Sequence, residues 1–218
     1  MVIWGRPPSC RNVLSIESHY GMVRILPSQQ LVNVMKYRIE STKIKDCLII
    51  TPEIYKDERG YFSTPFVKEV FDNSIKDVIG YSVDFIQDNE SFSKKGVIRG
   101  IHFQQGEWAQ TKLVRCSYGL VRDVIVDLRH DSSTYGKHIT IDISQKNGKM
   151  VFVPKGCGHG FSVLSEEAIF NYKVDNYYNK DSEGGIIFND STLGIDWGVS
   201  EIDIKVSHKD KQLPSFVL

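Results

Sequence analysis

Short strand-like segments, separated by turn signals, constrain the fold of this chain more than any other feature of its sequence. From Lys36 onward, segments rich in Val, Ile, Phe, Tyr and Thr follow one another, and these residue types are enriched in β-strands. Stretches such as DERG, KKG, DSSTYG, QKNG and PKGCG interrupt them, which gives a turn about every ten residues. This pattern predicts an all-β domain built as a sandwich or a barrel.

The predicted strands leave little room for helices. They are CLIITPEIY (47–55), GYFSTPF (60–66), YSVDFIQD (81–88), GVIRGIHFQ (96–104), TKLVRCSY (111–118), LVRDVIVDLR (120–129), KHITIDIS (137–144), KMVFVP (149–154), GFSVLS (160–165) and AIFNYKVDNYY (168–178). One short helix is predicted at FVKEVFDNSIKD, residues 66–77. The sequence contains no GxGxxG or Walker loop and no alternation of strands with helices, which argues against a doubly wound nucleotide-binding fold.

The first 34 residues differ from the rest because they show neither a helical nor a strand period. We interpret residues 1–34 as a poorly ordered extension, or as a start assigned too far upstream, and residues 35–218 as one folded domain. Strand-like sequence begins in MKYRIEST, residues 35–42. Arginines and prolines interrupt the N-terminal segment, so it does not resemble a signal peptide.

Net charge limits the kinds of partner that the chain can bind, and its cysteines indicate the cellular compartment. The chain carries 27 Lys and Arg residues against 27 Asp and Glu residues, so its formal net charge is zero. Nothing supplies the broad basic field that attracts nucleic acids or anionic membranes, and no apolar run is long enough to span a bilayer. Cys10, Cys47, Cys116 and Cys157 form no CxxC pair. We therefore expect reduced thiols in a cytoplasmic protein that binds neither nucleic acid nor membrane.

The predicted strand LVRDVIVDLR, residues 120–129, mixes charged and apolar residues on both faces. Because side chains alternate along a strand, Val121, Asp123 and Ile125 share one face. A half-solvated sheet with an ion pair would explain this pattern, and so would a pocket wall that combines apolar and polar groups. Taken alone, the strand favours the half-solvated sheet.

The stretch GVIRGIHFQ, residues 96–104, places Arg99, His102 and Gln104 in an otherwise apolar strand. Either these groups are buried and satisfied by partners, or the strand lines a working pocket. Strict alternation puts Arg99 and His102 on opposite faces. A β-bulge at Gly100 would re-aim one of the two side chains.

Two stretches resemble the paired sequence motifs of cupin barrels. They are residues 96–104 and PKGCGHGF, residues 154–161. A metal-binding cupin supplies two histidines from an HxH motif, a nearby glutamate and another histidine from the second motif. Here Gln104 stands where the second histidine of the HxH pair would be, and glutamine is a poor ligand. His102 and His159 alone are too few for a closed site, so we predict that no metal is bound.

A histidine that binds no metal in such a lumen is free to act as a base, because imidazole titrates near neutral pH. A single histidine in a strand is more often a hydrogen-bonded core residue than a catalytic base. The other polar residues of the lumen therefore distinguish the two interpretations. Lys112 lies on a nearby strand, Tyr172 late in the barrel and Asp210 near the C-terminus. A base, a cation, an acid and an orienting carboxylate are the groups that proton removal beside a carbonyl requires.

The order of several longer motifs is specific enough to identify a family. They are DERGYF, FIQDNESFSKKGVIRGIHFQ, AQTKLV, VRDVIVDLR, TYGKHI, FVPKGCGHGFSVLSEEAIFNYKVDNYY, GGIIFND, LGIDW and SHKD. On these stretches the chain from about Ile44 to Pro214 resembles the dTDP-4-dehydrorhamnose 3,5-epimerase family. The resemblance implies a jelly-roll, cupin-like barrel with a few short helices, which works as a homodimer without a metal or other cofactor.

The resemblance also implies roles for individual residues. His102 matches the family's catalytic base and Asp210 the aspartate that pairs with it. Tyr172 matches the proton donor, and Lys112 the lysine beside the sugar carbonyl.

Further positions match the family's contacts with the nucleotide sugar. Tyr178 matches the aromatic residue that stacks on the thymine ring, and Phe62 a phenylalanine that contacts the nucleotide. The other matching substrate-binding positions are Arg59, Gln87, Asn89, Arg99, His159, Glu183 and Lys209. One position departs from the pattern, because Thr64 stands where the family usually has a glutamate. That departure leaves the exact base or sugar open.

The reaction implied by the family is inversion of C3 and C5 of dTDP-4-keto-6-deoxyglucose, in the biosynthesis of dTDP-L-rhamnose or a related deoxysugar. The 4-keto group acidifies the C–H bonds at C3 and C5, so a base can remove a proton and an acid can return it to the opposite face. No redox step occurs, which agrees with the missing dinucleotide motif.

Three alternatives remain. A sibling enzyme could invert only C3 or only C5, or act on another nucleotide-linked 4-keto-6-deoxysugar. A metal-dependent cupin oxygenase is disfavoured by Gln104. A catalytically silent sugar-binding barrel is disfavoured because His102, Lys112 and Tyr172 occur together with Asp210.

Overall fold

The computed structural model describes residues 36–217. The predicted extension, residues 1–34, and Cys10 lie outside the described residues. The strands are β1 (Tyr37–Ser41), β2 (Leu48–Pro52), β3 (Ile54–Asp57), β4 (Gly60–Ser63), β5 (Gln87–Lys94), β6 (Val97–Gln104), β7 (Lys112–Tyr118), β8 (Leu120–Asp127), β9 (His138–Ser144), β10 (Met150–Val153), β11 (Cys157–Val163), β12 (Glu167–Val174), β13 (Glu183–Gly185) and β14 (Lys205–Val206). The helices are α1 (Lys68–Ile79) and short 3₁₀ turns at Gly106–Trp108, Lys180–Ser182, Glu201–Asp203 and Asp210–Gln212.

The strands form two main sheets that face each other. Hydrogen-bonded neighbours follow the order β1-β2-β10-β7-β12-β5 in the first sheet and β13-β6-β11-β8-β9 in the second. The short strand β14 pairs with β6 in parallel, and β3 and β4 form a separate hairpin. Many neighbours, such as β2 and β10 or β6 and β11, are far apart in the chain. This is the expected all-β jelly roll, and the predicted fold is confirmed.

Apolar side chains fill the molecule in three layers. One cluster fills the barrel interior. A second lies between α1 and the outer face of the first sheet, and a third lies between the C-terminal segment, residues 186–217, and the outer face of the second sheet. The C-terminal layer contains Ile98, Ile101, Val124, Val126, Ile186, Leu193, Trp197 and Phe216. Each sheet is therefore covered on both faces over much of its area.

The helix α1 forms where the sequence predicted it, two residues later at each end. Val70, Phe71 and Ile75 are buried on one face, which is the helical spacing of an amphipathic element. Gly80 ends the helix in the left-handed conformation with φ 83°, and its N–H donates to the carbonyl of Lys76. In the part of the chain that the structure describes, no helix has the length and hydropathy needed to cross a membrane.

The strand predicted at residues 81–88 is wrong. Residues 81–86 have no regular structure, and β5 begins at Gln87 and continues through the polar sequence QDNESFSK. Pairing with β12 holds β5 in place over its full length, from Gln87 opposite Val174 to Lys94 opposite Glu167. The strand β5 forms because its backbone pairs with an apolar neighbour. Its own side chains are mostly polar and do not show a strand pattern.

Both faces of β8 are buried, so the expected half-solvated sheet is wrong for this strand. Val121, Asp123 and Ile125 face the barrel interior, while Val124 and Val126 lie under the C-terminal segment. The covering segment is distant in the chain, and for that reason the pattern of the strand alone could not show it. The ion pair that was part of the expectation exists, between Asp127 and Arg129.

A β-bulge interrupts the pairing of β6 with β11. His159 lies opposite His102 and Phe161 lies opposite Arg99, so two residues of β6, Gly100 and Ile101, face one residue of β11. The extra residue cancels the alternation that would separate Arg99 from His102, and both side chains line the same cavity. The predicted bulge is confirmed.

The bulge requires glycine at position 100 for two reasons. Gly100 has φ 110°, a conformation that residues with a Cβ atom rarely adopt. A Cβ atom there would also lie 2.7 Å from the Cα atom of Gly160 and 2.7 Å from the carbonyl oxygen of His159. The strands can approach this closely only because neither Gly100 nor Gly160 carries a side chain.

We predict that Gly100→Ala lowers the free energy of unfolding by at least about 3 kcal/mol, since it adds a backbone clash to an unfavourable φ. Gly106→Ala is the matched control, because Gly106 has φ 59° and open space around its missing Cβ atom. That control should lose only about 1 kcal/mol. Denaturant unfolding measures both, and equal losses would contradict the assigned role of the Gly100–Gly160 contact.

Candidate active site

A cavity of about 830 Å³ lies between the two sheets. Its walls come from β6 and β11 of the second sheet, β7 and β12 of the first, and residues 204–211 of the C-terminal segment. The predicted site residues that line it are Arg99, His102, Lys112, His159, Tyr172, Tyr178, Glu183, Lys209 and Asp210. The structure thus brings together residues that are spread over more than a hundred positions of the chain.

His102 pairs with Asp210. The Nε2 atom of His102 lies 2.8 Å from Oδ1 of Asp210, and Asp210 is only 4 % exposed. Its other oxygen accepts a hydrogen bond from the N–H of Gly100, within the bulge. Burial alone would raise the pKa of Asp210, but the contacts with His102 and Gly100 and a bond to Ser207 hold that pKa below its usual value. The carboxylate therefore stays ionised beside the imidazole.

Lys112 is a buried cation at the base of the cavity. Its side chain comes from β7, and Nζ donates to the carbonyl oxygen of His102 at 3.4 Å. Burial lowers the pKa of Lys112 to about 8, against the opposing charges of Asp123 and Glu183. At neutral pH most of this amine is protonated, so it places a positive charge in a poorly hydrated site.

Tyr172 and Arg99 lie on opposite sheets. Burial raises the pKa of the Tyr172 phenol, and the charge of Arg99 opposes that shift. The Arg99 guanidinium reaches across to β5, where it donates to Oγ of Ser93 at 3.0 Å and to the carbonyl of Phe92 at 3.4 Å. His102 lies on the second sheet and Tyr172 on the first, and both line the cavity, so groups able to accept and to donate a proton come from different walls of the cavity.

His159 forms a second pair with a carboxylate. Its Nε2 atom lies 2.7 Å from Oδ1 of Asp123, and the two side chains are 8 % and 0 % exposed. The imidazole stacks on Phe170, with ring centroids 5.8 Å apart. Sequence analysis missed Asp123, although alternation along β8 placed it on the same face as Val121 and Ile125. That alternation was the available signal.

Tyr178, Glu183 and Lys209 form a polar cluster at the cavity. The Tyr178 hydroxyl donates to Oε2 of Glu183 at 2.7 Å, and Lys209 donates to the same oxygen at 2.6 Å. Burial would raise the pKa of Glu183, but these two donors lower it below its usual value. The cluster links the loop after β12 to the C-terminal segment. Other charged residues of the wall, which the sequence analysis did not assign, are Glu90, Lys205 and Lys211.

Four predicted residues do not line this cavity. Arg59 and Phe62 lie on the β3–β4 hairpin, beside a separate surface groove, and Phe62 is 65 % exposed. Gln87 and Asn89 lie on β5 and bond to each other, with 2.7 Å between Nε2 and Oδ1. Asn89 is paired with Tyr172 in the strand register, so β5 still lies directly beside the site.

His102 and His159 are not arranged as a metal centre. Among residues 36–217 no three His, Cys, Asp or Glu side chains come together as potential ligands. His102 and His159 are cross-strand neighbours, yet each is engaged by its own carboxylate. Gln104, at the position of the missing histidine, accepts a hydrogen bond from the N–H of Asn179. The donor set suits proton transfer to and from a bound molecule more than metal coordination.

The chain is similar to known proteins over most of its length. The family model described as dTDP-4-dehydrorhamnose 3,5-epimerase matches residues 41–217. The dTDP-4-dehydrorhamnose 3,5-epimerase of Salmonella typhimurium is 46 % identical over 173 residues, which is 79 % of this chain and 92 % of that protein.

Solved structures are similar over the same range. The crystal structure of dTDP-4-dehydrorhamnose 3,5-epimerase from Elizabethkingia anophelis aligns with a TM-score of 0.77 and 47 % identity, covering 83 % of this chain and 96 % of that one. An epimerase from Legionella pneumophila, in complex with dTDP-4-keto-L-rhamnose, aligns with a TM-score of 0.74 and 38 % identity, covering 84 % of this chain and all of that one. The chain belongs to the dTDP-4-dehydrorhamnose 3,5-epimerase family.

Proposed function

We propose that this chain inverts C3 and C5 of dTDP-4-keto-6-deoxyglucose, with His102 as the base and Tyr172 as the acid. The observation that carries the proposal is the placement of His102 and Tyr172 on facing sheets of one cavity, with the buried cation of Lys112 near the base. Inversion at carbon needs a proton to leave from one face and to return on the other. Two groups on opposite walls meet that need.

Asp210 prepares His102 for proton removal. A carboxylate only accepts hydrogen bonds, so the Nε2 atom that faces Asp210 carries the proton, and Nδ1 keeps the lone pair. When His102 takes a proton from the sugar, the imidazolium is stabilised by the ionised Asp210. The N–H of Gly100 holds the second oxygen of Asp210, so the bulge fixes the orientation of the pair.

Lys112 stabilises the intermediate. Removal of a proton beside the 4-keto group places negative charge on the carbonyl oxygen, and a preorganised cation in a poorly hydrated site lowers the energy of that enolate. Burial of Lys112, which is 8 % exposed, strengthens this interaction because water does not screen it. Tyr172 then donates its proton, which its raised pKa keeps in place until the carbanion is formed.

The remaining cavity residues bind the nucleotide sugar. Tyr178 offers an exposed ring for the thymine, since 56 % of the residue is accessible. Arg99 and Lys209 offer cations for the diphosphate and sugar oxygens, and His159 and Glu183 offer polar contacts. Gln87 and Asn89 on β5 extend these contacts at the edge of the site.

We assign Arg59 and Phe62 to the cavity of a second copy. Neither residue lines the cavity of its own chain, and their hairpin exposes three large rings, those of Tyr55, Tyr61 and Phe62. A homodimer in which each hairpin reaches the partner's cavity would place both residues at the nucleotide. The protein then works as a homodimer in the cytoplasm, a location supported by the free thiols of Cys47, Cys116 and Cys157.

Incubation with dTDP-4-keto-6-deoxyglucose in deuterium oxide should introduce deuterium at both C3 and C5, without added metal or nicotinamide. Proton NMR of the sugar measures exchange at each carbon. Exchange at one carbon only would identify a C3-only or C5-only enzyme, the alternative that Thr64 leaves open. Activity that disappears with a chelator and returns with a divalent ion would contradict the proton-transfer mechanism.

Variants of His102 and Tyr172 should separate base from acid. His102→Ala should lose both turnover and solvent exchange, because no C–H bond is broken. Tyr172→Phe should lose inverted product but retain some exchange, because His102 can still remove a proton and give one back. Each loss should be about a hundred- to ten-thousand-fold. His130→Ala, at an exposed histidine outside the cavity, is the control, and near wild-type turnover by His102→Ala would remove the base assignment.

The homodimer assignment predicts complementation between two inactive variants. One chain carries Arg59→Ala with Phe62→Ala, and the other carries His102→Ala. Co-expressed with different tags, the mixed dimer has one cavity with an intact base that receives an intact hairpin, so activity should return to a substantial fraction of wild type. Activity no higher than that of the separate variants would show that each hairpin serves its own chain, or none.

A further inference from the structure

Two glutamines hold the loop that carries Tyr177 and Tyr178. This platform loop, residues 175–182, connects β12 to β13, and both tyrosine side chains are largely exposed. Gln110 donates from Nε2 to the carbonyl of Asn176 at 2.8 Å, just before the tyrosines. Gln104 accepts at Oε1 from the N–H of Asn179 at 2.9 Å, just after them. The two bonds bracket the aromatic pair.

The two glutamines reach the platform loop from the catalytic wall. Gln104 lies two residues after His102 on β6, on the same face of the strand, and is 6 % exposed. Gln110 lies two residues before Lys112, the first residue of β7. Both line the cavity. Each glutamine therefore connects a strand that carries a catalytic group to the loop that carries the nucleotide platform.

Other bonds hold the two ends of the loop and the tip of one tyrosine side chain. The carboxylate of Asp175 accepts from the N–H of Thr111 at the start of the loop, and the carbonyl of Ser182 accepts from the N–H of Gln105 at its end. Within the loop, Asn179 caps the 3₁₀ turn through its own side chain. Asn176 also donates from Nδ2 to the carbonyl of Glu107 at 2.8 Å, and the Tyr178 hydroxyl donates to Glu183. Gln104 and Gln110 hold the main chain on either side of the tyrosines, whereas Glu183 holds the hydroxyl at the tip of the Tyr178 side chain.

We propose that Gln104 and Gln110 are positioning residues that set the distance and angle of the Tyr178 ring relative to His102 and Lys112. The inference rests on the proposed function, in which Tyr178 binds the thymine ring. The proposal assigns a role to the side-chain amide of Gln104, at the position where a metal-binding cupin would have a histidine. The contacts have opposite polarity: the loop donates to Gln104 and accepts from Gln110.

Opposite polarity makes the same substitution informative at both positions. Gln104→Glu keeps an acceptor for the Asn179 N–H, whereas Gln110→Glu loses the donor to the Asn176 carbonyl. Gln→Met removes the hydrogen bond at either position and keeps the length of the side chain. Gln105→Met and Gln105→Glu are controls, because Gln105 is exposed and does not line the cavity.

Affinity for dTDP, measured by calorimetry, should fall about three- to tenfold in Gln104→Met, Gln110→Met and Gln110→Glu, as expected for one lost hydrogen bond. Gln104→Glu should bind dTDP within about twofold of Gln105→Glu. KM for the nucleotide sugar should follow the dTDP affinity, while kcat at saturation stays within about threefold of wild type, since the base, acid and cation are unchanged.

Amide hydrogen exchange of the ligand-free protein gives a second readout, which is independent of the reaction. The Asn179 amide should exchange faster in Gln104→Met than in wild type and should regain its protection in Gln104→Glu. If the Met variants match Gln105→Met in both exchange and dTDP affinity, the inference is wrong. It is also wrong if Gln104→Glu behaves like Gln104→Met. If wild type turns over no nucleotide sugar, the proposed function fails, and exchange alone then decides whether the two glutamines hold the loop.

Discussion

The close contact between Gly100 and Gly160 is the constraint on which the site depends. It allows an extra residue in β6, and that residue brings Arg99 and His102 to the same face. The same bulge directs the N–H of Gly100 at Asp210, so one backbone distortion both aims His102 and holds the carboxylate that pairs with it. A regular strand would have sent either the arginine or the histidine into the apolar layer under the C-terminal segment.

Several buried carboxylates in the described part of the barrel are paired, whereas Lys112 has no carboxylate within ion-pair distance among the described residues. His102 with Asp210, His159 with Asp123, and Arg129 with Asp127 each bury a carboxylate beside a group that can carry positive charge. Unpaired buried charges are costly, and Lys112 shows that cost as a lowered pKa. An enolate oxygen beside Lys112 would supply the missing negative charge. In the proposed mechanism, the reaction itself thus supplies the partner that Lys112 lacks.

The sequence predicted those strands whose own residue types are typical of strands. It failed where the structure of a strand depends on segments that are distant in the chain. Strands such as β6, β7 and β10 carry enough β-branched and aromatic residues to be found directly. The polar strand β5 exists because β12 pairs with it, and β8 is buried on both faces because residues far along the chain cover it. His102 and Gly100 could be singled out from one stretch, but the pairing of Asp123 with His159 depends on the register of β8 and β11. The position of Arg59 and Phe62 outside the cavity depends on a hairpin that no local pattern orients.

The glutamine at position 104, where a metal-binding cupin has a histidine, suits the cavity to the proposed proton transfer. In a metal-binding cupin the imidazole at position 102 would give its lone pair to a cation and could not act as a base. Here Gln104 turns its amide to the platform loop, and Asp210 arrives from 108 residues further along the chain to engage the same imidazole. The C-terminal segment thus has two tasks, since it closes the outer face of the second sheet and also supplies the carboxylate. In the proposed mechanism, His102 is paired with its carboxylate only once the 3₁₀ turn at Asp210–Gln212 has docked, so catalytic competence depends on completion of the fold.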